Sequence, residues 1–183
     1  MSEPGRAPEH HVPSPGYESV FAPDDHGRDA FERFRYQAHV AFPFCLAAAS
    51  DAGGIEAVAC EHFEDVAALD AKGWRLMQIK TRNPDLGTWT LTDLLGDGGA
   101  LRGLHRTFSA LDEMGQAVGC RLEAWLEGSV ARRDNARVLT EHLHPDGAWE
   151  KTVARCKDRL MIDHEAAERF LTCVRIVDGV QRP

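Results

Sequence analysis

The turn Asp70-Ala71-Lys72-Gly73, set between residues 64–69 and 74–80, constrains this chain more than any other segment. Both flanking runs are strand-like and the connection is short, so together they predict a β-hairpin. Side chains on a strand alternate between faces. Gln78 and Lys80 therefore project from one side, while Met77 and Ile79 enter an apolar layer on the other. If Leu69 faces Trp74, Asp65 lies opposite Gln78; if Ala71 faces Trp74, Asp65 lies opposite Lys80. Either register gathers a carboxylate, an amide and an ammonium on one face. The intermediate slip sets Asp65 against Ile79 and scatters them, because a shift of one residue reverses every side chain. Glu61 shares the parity of Asp65 and joins that face if the strand runs unbulged through His62 and Phe63, with Glu64 then pointing away.

The gathered groups have a definite chemistry. An ionised Asp65 and the Gln78 carbonyl oxygen are hard ligands suited to magnesium, with manganese as a substitute, and Glu61 is the expected second carboxylate. Such an ion polarises a phosphodiester and activates a water. Lys80 is a compact charge placed to orient that water or to offset negative charge in the transition state. On spacing alone the same residues also read as a solvated cross-strand pair worth a few tenths of a kcal/mol.

A net charge of −8 runs against the broad basic surface that usually marks a nucleic-acid binder. Part of the excess is local, since Glu3, Glu9, Glu18, Asp24 and Asp25 accompany only Arg6 before residue 28. The candidate groove residues are Lys72, Arg75, Arg82, Arg102, Arg106, Arg132 and Arg133. Length allows one domain with a real core. The longest apolar stretch, 38–49, is interrupted by His39 and Pro43 and falls short of the roughly 20 residues of a membrane span. The N-terminus lacks a basic and apolar signal, so a cytoplasmic location is expected. Five dispersed cysteines without a Cys-x-x-Cys pair read as reduced thiols, not disulfides or zinc ligands.

Residues 1–27 hold five of the nine prolines and read as a disordered or loosely packed arm, leaving 28–183 as the domain. Phe31, Phe34, Ala38, Ala41, Phe42 and Cys45 recur at helical steps and predict a buried stripe, capped by Asp29 with Glu32, kinked or ended near Phe42 by Pro43 and resumed over 44–49. Gln37 lies at the edge of that stripe. A strand is expected over 55–60, a short helix capped by Thr90 or Thr92 over Leu94 and Leu95, and a longer one over 100–114. A strand carrying Leu122, Ala124 and Leu126 follows, then closing helices over 149–161 and 164–174, the last capped by Asp163. Trp89 reads as a core anchor ahead of a base-stacking group. His142 and His144 lack a third ligand at a recognisable spacing, and Gly96–Gly99 lacks the Lys-Ser/Thr ending of a phosphate loop.

Taken together, Phe34-Arg35-Tyr36-Gln37, Cys60-Glu61-His62-Phe63-Glu64-Asp65-Val66, Met77-Gln78-Ile79-Lys80-Thr81-Arg82 and Trp89-Thr90-Leu91-Thr92-Asp93-Leu94-Leu95 resemble one family. It is the DNA endonuclease domain of effector proteins in cyclic-oligonucleotide antiphage signalling (CBASS), a branch of the PD-(D/E)xK nuclease superfamily. The resemblance implies an α/β fold with a restriction-endonuclease-like mixed central sheet flanked by helices. Asp65, Gln78 and Lys80 then match the motif positions, with Gln37 near the site. Glu64-Asp65 stands where the family motif has Pro-Asp. The implied activity is magnesium-dependent hydrolysis of double-stranded DNA in antiviral defence, in a homo-oligomer controlled by a cyclic-oligonucleotide sensor domain or a regulatory chain. Nothing after Pro183 has room for such a sensor, so the chain is expected to be an excised nuclease domain or a stand-alone relative. An alternative from another class is a nuclease-like module without activity that binds nucleic acid or a protein partner.

Overall fold

A computed structural model describes residues 25–50, 54–61, 64–140 and 147–180. The chain divides into two units, 1–32 and 33–183. The described part of the first is the opening of helix α1 (Asp25–Ala49). The second holds the sheet and its covering helices, and the rest of the description concerns it.

Five strands, β1 (Ile55–Cys60), β2 (Val66–Asp70), β3 (Gly73–Lys80), β4 (Arg121–Glu127) and β5 (Val174–Val180), lie side by side in chain order. The first three pair antiparallel, and a two-residue turn joins β2 to β3. β3, β4 and β5 are mutually parallel, so each connection between them must cross back over the sheet. α2 (Leu91–Leu95) and α3 (Ala100–Glu113) make the first crossing, and α4 (Ala148–Leu160) and α5 (His164–Thr172) the second. The result is an α/β fold with a mixed central sheet flanked by helices.

Strand alternation gives the sheet two apolar faces. Ala67, Leu76, Leu122, Ala124, Leu126, Val174 and Ile176 pack with residues of α2 to α5. On the opposite face Val66, Ala68, Met77 and Ile79 meet Tyr36, Val40 and Ala41 of α1. Each strand of the centre is buried on both sides, as parallel sheets require.

Several expectations about α1 are corrected. Its helix begins by Asp25, which puts Asp29 inside it and not at its cap. It also passes through Pro43 to Ala49 unbroken. Pro43 sits on the exposed side, where water can satisfy the carbonyl that loses its N–H partner. The buried stripe is Tyr36, Val40 and Ala41, whereas Phe34 and Phe42 are 61% and 60% exposed. Phe34 and Phe42 are solvent-facing. The closing segment differs too: α5 stops at Thr172, and residues 174–180 form β5, a strand absent from the sequence reading.

Elsewhere the reading holds. Thr90 caps α2 in a reciprocal box with Asp93, and Asp163 caps α5 through Ala166 N–H. Burial alone would raise the Asp93 pKa, but bonds from the Thr90 hydroxyl and amide and from Arg82 bring it below its ordinary value. No helix among the described residues is long and apolar enough to cross a membrane. His10, His11, His142 and His144 lie outside the described residues.

Candidate active site

Leu69 pairs with Trp74 and Val66 with Met77, so the hairpin adopts the register that sets Asp65, the residue just before β2, against Gln78. The pairing is completed by side chains. Gln78 Nε2 donates to Asp65 Oδ2 at 2.6 Å, and the Ile79 backbone N–H donates to the same oxygen at 2.6 Å. Two donors on one carboxylate oxygen fix its position as a backbone fixes a cap. Met77 and Ile79 enter the α1-side core, as alternation requires. Gln78 turns to the other face, where its Oε1 lies against Gly103 of α3; a Cβ on Gly103 would collide with it.

Asp65 and Lys80 line a common cavity of about 370 Å³ with Arg33, Gln37, Thr81 and Gly98. Gln37 thus reaches the site from α1. Gly98 precedes the first turn of α3, whose N-cap is Gly99. The cavity lies where β3 ends, beyond the carboxyl edge of the parallel strands, which is where open α/β sheets place their ligands.

The acid beside Asp65 in sequence changes the electrostatics. Glu64 accepts a short hydrogen bond from Thr107 Oγ1 of α3. Burial pushes its pKa above the ordinary value, and the neighbouring Asp65 charge adds to that, against the opposing pull of Thr107, Lys80 and Arg106. The expectation that Glu64 points away is therefore corrected: it sits within the electrostatic reach of both Asp65 and Lys80. The same strand argument does not place Glu61. β1 ends at Cys60, and Glu61 has a left-handed φ of 54° with its N–H bonded to the Asp65 carbonyl. Its side chain is exposed, and His62 and Phe63 lie outside the described residues. The missed signal was the bend between Cys60 and Val66, which breaks the period of two that a parity count assumes.

Several basic candidates are engaged in holding the fold. Arg75 makes a two-pronged pair with Glu123 and lies over the Phe44 ring. Arg82 bonds Asp93 and the Thr88 carbonyl and stacks on Trp89, while Arg102 binds the Leu95 and Arg159 carbonyls. Trp89 is buried, and its Nε1 donates to the Glu127 carbonyl. Lys72, Arg106, Arg132 and Arg133 are exposed.

Residues 25–102 match the family model for Cap4, dsDNA endonuclease domain. The match begins with α1 and ends in the first turn of α3, so it takes in Gln37, Glu61, Glu64, Asp65, Gln78 and Lys80 but less than half of the chain. It agrees with the CBASS effector nuclease resemblance, and the fold is consistent with a restriction-endonuclease-like one. No curated protein and no solved structure matches the chain. Residues 103–183, including β4 and β5, have no counterpart in the Cap4 nuclease match.

Proposed function

We propose that the chain is a metal-dependent endonuclease acting on double-stranded DNA, the nuclease part of an antiphage effector. The observation that supports this reading is that Asp65, hydrogen-bonded by Gln78, shares a cavity with Lys80 at the end of β3, inside a segment matched by a dsDNA endonuclease family.

The donor set suits magnesium. Among the described residues no three His, Cys, Asp or Glu side chains gather around one point, and magnesium is commonly held by one or two carboxylates with waters and phosphate oxygens filling the rest. Asp65 and Glu64 supply the two acids; Glu64 replaces Glu61 in this role because it shares an electrostatic environment with Asp65 and Lys80. Gln78 supplies an amide. Its Nε2–H donates to Asp65. The Gln78 amide also carries an oxygen, and Asp65 with Gln78 Oε1 would offer hard oxygen ligands to such an ion. When bound, magnesium polarises the scissile phosphate and acidifies a water. Lys80 Nζ orients the attacking water or offsets charge on the phosphate, Arg33 offers a further cation at the cavity, and the N-terminal dipole of α3 favours an anion there. Gln37 is a polar neighbour suited to hold a water.

The test is plasmid cleavage with magnesium and with manganese, on the wild-type chain and on Lys80→Ala and Asp65→Asn. Cleavage by the wild type and its loss in both folded variants is the expected result. A second reading, a nuclease-like module that binds DNA or a partner without cutting, draws on one observation: Asp65 Oδ2 already has two donors from the chain itself. Absence of cleavage with either metal by folded protein that still retards DNA would favour it. Cutting both strands at one place calls for two such sites, so a dimer or larger assembly on DNA belongs to the first reading.

A further inference from the structure

Cys120 and Cys173 lie far from the candidate nuclease site, one just before β4 and the other just before β5. Those strands are hydrogen-bonded neighbours with Leu122 against Val174, and the Leu122 N–H donates to the Cys173 carbonyl at 2.9 Å. The pairing brings the two cysteines together at the same edge of the sheet. Each thiol lies near enough to shift the titration of the other, and the Cys173 S–H donates to the Arg169 carbonyl at 3.5 Å. Both are half-buried, and Cys173 also lines an open cleft of about 990 Å³ that a small oxidant can enter. Both pack at the margin of the core that fully buries Cys156 of α4.

We propose that Cys120 and Cys173 form a peroxide-sensitive dithiol, with Cys173 the sulfur attacked first and Cys120 the resolving thiol. The environment of Cys173 favours its thiolate. The neighbouring Cys120 thiol and the Arg169 charge lower its pKa to about 7 against burial and Asp112, and Cys173, not Cys120, lines the cleft by which an oxidant arrives. The Thr172 hydroxyl donates to the Arg169 carbonyl at 2.7 Å. Cys120 is shifted upward by its Cys173 neighbour and by burial. An attacking thiol with a pKa near ambient pH has the best balance of thiolate fraction and nucleophilicity.

The oxidant is a hydroperoxide. The Cys173 thiolate attacks one peroxide oxygen and the O–O bond breaks. A sulfenic acid forms on Cys173, and the departing hydroxide takes a proton to become water. Cys120 then gives up its proton and attacks the Cys173 sulfur; the S–O bond breaks, hydroxide leaves with that proton as a second water, and the disulfide remains. Two thiols have lost two electrons and one peroxide has gained them. The bond would tie the start of β4 to the start of β5 and close the loop that carries α4 and α5.

The full chain is treated with one to a few equivalents of hydrogen peroxide, blocked with an alkylating reagent and mapped by mass spectrometry. The expected product is 2 Da lighter, contains one cross-linked peptide joining Cys120 to Cys173, reverts with dithiothreitol and melts several degrees higher than the reduced protein. In Cys120→Ser, dimedone should trap a sulfenic acid at Cys173, and in Cys173→Ser peroxide consumption at this site should fall at least tenfold. A double Cys45→Ser, Cys60→Ser variant should behave as wild type. The proposal is overturned if Cys120 and Cys173 both remain alkylatable after oxidation, or if the bridge forms elsewhere. The wild-type map decides this without any variant having to fold.

Discussion

Glu64 is the residue whose titration should be most visible. Its carboxyl has a pKa raised by burial and by Asp65, so the folded chain holds its proton to a higher pH than the unfolded chain does. The stabilisation linked to that proton is complete below the unfolded value, near 4.5, and is lost as pH rises through the folded one. Glu64→Gln keeps the Thr107 contact without the charge. It should therefore melt as high as wild type or higher at neutral pH, with the difference shrinking as the pH approaches 4.5, while magnesium affinity measured by calorimetry falls. Wild-type magnesium binding should also strengthen as pH rises through the Glu64 transition, because a carboxylate must lose its proton to ligate. A variant that loses stability at pH 7.5 and keeps full metal affinity would show that Glu64 serves only the fold. Gly103 gives a second residue-scale test. A methyl group there meets Gln78 Oε1, the far end of a flexible side chain that can swing aside, and alanine inside a helix gains about 0.5–1 kcal/mol over glycine. Gly103→Ala should therefore keep its melting temperature within a few degrees of wild type while cutting cleavage by moving Gln78 off Asp65. Lys80 is half-buried and lines the cavity, so Lys80→Ala should leave the melting temperature within a few degrees of wild type while cleavage falls about a hundredfold or more.

At the scale of elements, legibility depended on whether local rules were left alone by the tertiary structure. The 70–73 turn is short enough to fix its own register, and with it the Asp65–Gln78 meeting. α3 was legible because Leu101, Leu104 and Phe108 face a single core. α1 misled because it offers two apolar stripes, and only packing against β2 and β3 chooses between them. The chosen face carries Tyr36, whose hydroxyl donates to the Val180 carbonyl at 3.3 Å, and leaves Phe34 and Phe42 outside. β5 was missed because Cys173 alone separates it from α5, with no Gly or Pro to mark the boundary. Glu64 was missed for a similar reason, since a bend is invisible to a count of parity. The choice of face on α1 is testable by equilibrium unfolding. Tyr36→Ala should cost about 3–5 kcal/mol, as truncation of a buried aromatic does, whereas Phe34→Ser and Phe42→Ser should each stay within about 0.5 kcal/mol of wild type, as exposed substitutions do.

For the whole molecule the question is how a chain with net charge −8 meets a polyanion. The sequence counts seven basic candidates, but their environments divide them by what they already hold. Arg75, Arg82 and Arg102 are committed to Glu123, to Asp93 with Trp89, and to carbonyls of Leu95 and Arg159. Removing one of them takes away contacts that hold the fold, a loss the fold feels first. Arg106 and Arg133 are exposed, and Arg106 is within electrostatic reach of Glu64. Each phosphate a protein neutralises contributes about one unit to the slope of log affinity against log salt. DNA binding in calcium, measured across a salt series, should therefore lose about one unit of slope for each of Arg106→Ala and Arg133→Ala that contacts a phosphate, at an unchanged melting temperature. Arg82→Ala should do the reverse, lowering the melting temperature because Asp93 loses its cationic partner and the Thr88 carbonyl its side-chain donor, with the slope nearly intact. If Arg82→Ala instead flattens the slope and leaves the fold as stable as before, then Arg82 contributes to the DNA-binding groove and its contacts with Trp89 and Asp93 add little to stability.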